Sequence, residues 1–260
     1  MTDVPVKDLI VVLLDCMSQS VAVHTAAGPP GRSGDSSYDS AAVAEQARLL
    51  FRLHTLLLAP LSDACRTEII GALMSSPVAV PFLSTCADLL LDSTFAQSYR
   101  LAWLAAVAAH QLLFDPRFPL FVQRTPLVEN AVLQLKASSA AVATALDSAA
   151  DGVSAAGMAS YPLYSALLHL LSDFGSSYAG LHVLVVSTPL LFGTLAAVVT
   201  RESRAAANAA AVAAAAETGA PATPVPLPPL AVLAKDLLTA LAPASTAAAA
   251  ALRRLAPHPQ

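Results

Sequence analysis

A chain of 260 residues that is 56% hydrophobic and only 12% charged, with a net charge of −4, is built to bury a core. A typical soluble domain is roughly 45–50% apolar and about 25% charged. The fourteen basic residues are spread thinly, with Arg253-Arg254 the one adjacent basic pair, which argues against a large nucleic-acid footprint.

Much of the apolar fraction is alanine, the residue that loses least on entering a helix. Aromatics make up 5%, too few for a β-sandwich, so the chain reads as all-α. The first helix is predicted from about Pro5 to Val23, with Val6, Leu9, Ile10, Leu13, Met17 and Val21 on one face. The short apolar run Leu9 to Leu14 has acids on both sides and only Lys7 as a basic residue before it, unlike a signal peptide; a cytoplasmic or nuclear location is expected. Gly28 to Ser37 reads as a loop, part of an insertion over about 26–39. It lacks the Gly-Lys-Ser/Thr of a phosphate-binding loop.

A second helix is predicted over about Ser40 to Leu58, with a polar stripe of Glu45, Arg48, Arg52 and Thr55 and apolar residues around the rest of the cylinder. Ala59-Pro60 stops it, and Ser62 opens a third helix that ends near Ser75. Ser76-Pro77, Thr125-Pro126 and Thr188-Pro189 then each precede an apolar helical stretch. In this reading the Ser or Thr hydroxyl accepts from a first-turn amide, and proline fills the next position without wasting a donor. Pro81 falls just past the first of these starts and is expected to delay or kink that helix. Before Thr188 lies an amphipathic helix with Leu163, Leu167, Leu170, Leu171 and Phe174 on one face and Ser165, His169, Ser172 and Ser176 on the other. A linker rich in Ala and Pro is expected over 202–229, in which Ala205 to Ala216 has the composition of a frayed helix. A C-terminal helical segment, 230–260, follows it and is expected to be loosely attached.

Candidate chemistry is sparse. Cys16, Cys65 and Cys86 are odd in number and far apart, which argues against a disulfide framework or a zinc pair and for small buried hydrophobes. His24, His54, His110, His169, His182 and His258 form no HExxH or His–Cys cluster. Asp147 and Asp151 are four apart, but Gly152 follows, which marks a helix end. No catalytic residue, metal ligand or cofactor site is assigned, the partner-binding surface is left open, and the chain is expected not to be an enzyme. Phe174 to Thr200 holds no Asp, Glu, Lys or Arg and is long enough to span a bilayer. Its glycines, its serines and the central Thr188-Pro189 favour two short buried helices instead.

From Leu73-Met74-Ser75-Ser76-Pro77 through Leu91, and again from Tyr161 through Val199, the chain resembles armadillo/HEAT-type helical repeats. The resemblance implies an α-solenoid over residues 1–201, acting as a non-catalytic scaffold or adaptor that binds other proteins. The alternatives are a membrane-associated helical protein using 174–200, a chaperone cofactor and a small helical enzyme.

Overall fold

The computed structural model describes residues 6–27, 37–58, 61–91, 98–147, 155–216 and 229–255. Among these residues there are twelve helices: α1 (Val6–Ala27), α2 (Ser37–Leu58), α3 (Asp63–Ser75), α4 (Ala79–Leu91), α5 (Ser98–Leu112), α6 (Phe118–Val122), α7 (Leu127–Asp147), α8 (Ala155–Gly175), α9 (Tyr178–Ser187), α10 (Leu190–Ala216), α11 (Pro229–Leu241) and α12 (Thr246–Leu255). The chain gathers into two compact units, Met1–Gln134 and Leu135–Gln260.

Thr125-Pro126 and Thr188-Pro189 stand immediately before α7 and α10, and Ser76-Pro77 stands one residue short of α4, so the pairs mark every third helix. Their hydroxyls, however, do not cap the helix that follows. Ser76 Oγ donates back to the Leu73 carbonyl at 2.8 Å, Thr125 Oγ1 to Val122 at 3.3 Å and Thr188 Oγ1 to Leu184 at 2.6 Å. The reason is the proline. It disfavours the helical region for the residue before it, which therefore leaves the helix, as the ψ of 151° at Ser76 shows. From there the side chain reaches the unpaired carbonyls of the helix just ended. Ser62 is the N-cap residue of α3 but likewise makes no side-chain cap bond. Pro81 sits exposed as the third residue of α4, within the first turn, where a missing N–H costs little.

In the first unit, α1 packs on α2 and α3, and α4 packs on α5 and α6 in the same way. Between these triplets, α1 packs on α4 and α2 on α5. Polar side chains link the same pairs. His24 of α1 meets Asp88 of α4 at 3.1 Å, and Gln111 of α5 donates to the Thr55 carbonyl of α2 at 3.2 Å. Arg117, just before α6, donates to Gly71 O at 2.8 Å and Ser75 Oγ at 2.9 Å, both in α3. Asn130 of α7 donates to Ala87 O of α4 at 2.9 Å. Each bond joins an element to the one three places on. The core holds Leu13, Met17, Ile69, Leu73 and Leu83, and the Phe51 and Phe82 rings lie 5.5 Å apart.

In the second unit, α10 packs on α11 and α12, as α1 does on α2 and α3, and α8 packs on α11, as α2 does on α5. Arg201 of α10 donates to the Ser139 carbonyl of α7. The architecture is thus all-α with repeated helix-pair packing, consistent with a generic solenoid-like arrangement.

The C-terminal segment is not loosely attached. Leu230, Ala231, Ala234, Leu237, Leu238 and Leu241 of α11 are all buried, because α8, α9, α10 and α12 surround that face. The chain from 202 onward continues α10 to Ala216, while 217–228 lie outside the described residues. The predicted loop Gly28 to Ser37 also lies outside them, except for Ser37, the first residue of α2.

The turn from α8 to α9 is unusually tight. A Cβ on Gly180 would stand 1.8 Å from the Phe174 carbonyl oxygen, so only glycine fits there. The Gly180 amide instead donates to Ser177 Oγ at 3.0 Å, a true side-chain N-cap.

Candidate functional site

The residues singled out for chemistry do not converge. Cys16 and Cys86 are buried and Cys65 is half-buried, all as free thiols. Burial pushes the Cys86 thiol far up, and burial with the nearby Asp15 raises Cys16, the opposite of what a nucleophile needs. His169 and His182 are exposed, and His110 stands edge-on to Phe114 at 5.9 Å. Asp147 is the last residue of α7, whereas Asp151 and His258 lie outside the described residues. Among the described residues, no group of three or more His, Cys, Asp and Glu side chains is placed to hold a metal ion.

Three polar clusters are assembled by the fold, and only His54 among their residues is a candidate from the sequence. In the first, His54 is 1% exposed, its ring 5.2 Å from that of Phe82. Neither ring nitrogen has a hydrogen-bond partner, and the Gln111 Oε1 is likewise unpaired. Burial lowers the His54 pKa to about 4, and the nearby Gln111 side chain offsets only part of that.

In the second, Arg117 forks onto Asp115, with Nε at 2.9 Å from Oδ1 and Nη2 at 2.7 Å from Oδ2. Burial by itself would raise Asp115, but the hydrogen bonds and charge of Arg117 outweigh it and hold the carboxyl below its usual range. In the third, the buried Tyr164 hydroxyl donates to Glu202 Oε1 at 3.0 Å. Burial, and then the Glu202 charge, push the Tyr164 phenol far up. Arg117 ties the α5–α6 connection to α3, Tyr164 and Glu202 join α8 to α10, and His54 packs from α2 against Phe82 of α4.

The more informative surface is apolar. Helix α2 buries Ala47, Phe51, His54 and Leu58, a stripe at helical spacing. Leu49, Leu53 and Leu56 form a second stripe on the opposite side of the cylinder and are 57%, 41% and 57% exposed. Beside them stand Arg52, exposed, and the Glu45–Arg48 ion pair. The sequence signal was present, since α2 reads as apolar nearly all round, and a helix with that pattern is ordinarily covered on both sides.

By length and apolarity two bent helix pairs could each make a span, Asp63–Ser75 with Ala79–Leu91 at 94° being the first. Tyr178–Ser187 and Leu190–Arg204 are apolar enough together, but they meet at 101°. Val6–Ala26 is by itself long and apolar enough to cross a bilayer.

The chain was compared with protein-family models, curated proteins and solved structures, and it matches none of them.

Proposed function

We propose that the chain is a non-catalytic scaffold or adaptor that binds other proteins, built as an α-solenoid of armadillo/HEAT-like repeats. The three-helix period supports the repeat reading, because armadillo-type units hold two or three helices each. The observation that carries the function is the outer face of α2. Leu49, Leu53 and Leu56 are clustered leucines that internal packing leaves in solvent. Leucines aligned on one exposed helix face support an interaction role.

The test is affinity purification of the full chain from its native cell, after lysis without detergent. The reading expects a detergent-free, strongly helical protein with reproducible partners. Recovery only from detergent-extracted membranes would instead favour the membrane-associated reading, for which the length and apolarity of α1 is the specific observation.

A further inference from the structure

We infer that the outer face of α2, formed by Leu49, Leu53 and Leu56 with Arg52 at its edge, docks an amphipathic helix of another protein that carries an apolar ridge of matching spacing and a carboxylate facing Arg52. The inference rests on the scaffold reading and names the surface and the chemistry of its partner.

Geometry comes first. Leucines at i, i+4 and i+7 form a straight ridge along one helix face, the shape that packs against the apolar ridge of a second helix. The ridge lies roughly half a turn round the cylinder from Phe51 and His54, so a partner can cover it without disturbing the contacts of α2 with α1 and α5.

Charge then selects the occupant. Glu45, Arg48 and Arg52 share one flank of the ridge. Glu45 is held by Arg48 within the helix. Arg52 is exposed and has no ion pair among the described residues. A second copy pairing through the same α2 face offers Arg52 no carboxylate. An antiparallel pairing with leucines against leucines brings like flanks together and sets Arg52 against its own counterpart. A parallel pairing sets it against the flank of Gln46 and Leu50, which holds no carboxylate. A partner helix with an acidic flank satisfies both the leucines and the arginine.

The experiment titrates the full chain into two labelled synthetic helices, followed by fluorescence anisotropy. Both carry leucine at i, i+4 and i+7; one has glutamate along one flank and the other lysine at the same positions. The glutamate peptide is expected to bind more tightly by on the order of tenfold. Arg52→Glu inverts that preference, and Leu53→Asp removes binding of both peptides while the helical circular dichroism and Tm stay unchanged. Equal binding of the two peptides, binding of neither, or an unchanged preference in Arg52→Glu overturns the proposal. So does a dimer in sedimentation that Leu53→Asp disperses, since it assigns the face to a second copy. Native-cell purification separates the two levels. Identical partners on the wild type and Leu53→Asp remove this surface but leave the scaffold reading standing; no partner on either chain removes the scaffold reading itself.

Discussion

Tyr164 on α8 donates a hydrogen bond from its hydroxyl to Glu202 Oε1 on α10, 3.0 Å away and thirty-eight residues on, inside the second unit. Tyr164 is fully buried and Glu202 is 7% exposed, so the pair satisfies two groups that would be costly apart. Tyr164→Phe keeps the ring and deletes the donor. A hydrogen bond to a buried charged acceptor is worth about 1.5–3 kcal/mol, and urea denaturation should record a loss in that range. Adding Glu202→Gln to Tyr164→Phe should cost much less than the sum of the two single changes.

His54 predicts an acid-sensitive first unit. Its pKa is depressed from 6.5 to about 4 in the folded chain, so the unfolded chain binds the proton more readily. Stability is therefore at its full value above pH 6.5 and falls as pH drops toward 4. The shift corresponds to a loss of about 3 kcal/mol between pH 7 and pH 4. His54→Leu should remove this component of the pH dependence and raise stability at neutral pH by about 1 kcal/mol, because the two orphaned nitrogens go with the ring. A denaturation series across that pH range, with and without the substitution, checks both points.

Two glycines give an internally controlled pair. Gly180→Ala places a methyl 1.8 Å from the Phe174 carbonyl oxygen, and backbone must move to admit it. A loss of at least ~3 kcal/mol is expected. Gly193, inside α10, has nothing within 4 Å of the same added atom. Gly193→Ala should stabilise by roughly 0.5–1 kcal/mol through helix propensity. Thermal melts are expected to show a lowered Tm for Gly180→Ala and a raised Tm for Gly193→Ala.

Thr188→Val should destabilise by about 1 kcal/mol, and Thr188→Ser should not. The hydroxyl is buried and donates to Leu184 O at 2.6 Å, so the contribution belongs to the end of α9 rather than to the start of α10. Hydrogen-exchange protection is expected to fall in the last turn of α9 in the valine variant, with the first turn of α10 unaffected.

How much of this was legible beforehand differs from element to element. On α8, the face of Leu163, Leu167, Leu170, Leu171 and Phe174 was readable and is buried as read. The helical period and the polar residues opposite leave one solution there. The Ser/Thr-Pro pairs were legible as boundaries, but the direction of their hydrogen bonds was not. Proline's restriction on the preceding residue is local, whereas the choice of acceptor depends on which helix end the hydroxyl can reach. Tyr164 and Glu202 could not be paired from sequence, because their meeting depends on how α8 and α10 are brought together.

The outer leucines of α2 mark the division most clearly. Periodicity and composition determined that α2 is a helix, that Glu45, Arg48 and Arg52 line one side of it, and that the remaining surface is apolar. They could not say which apolar side is covered, because a helix that is apolar nearly all round satisfies the same pattern in either orientation. Tertiary structure decided it. Packing of α2 on α1 and α5, with Phe82 of α4 against Phe51 and His54, buries that side and leaves Leu49, Leu53 and Leu56 outside. The physical reason is that local sequence sets the helix, while burial is a property of the neighbours that reach it.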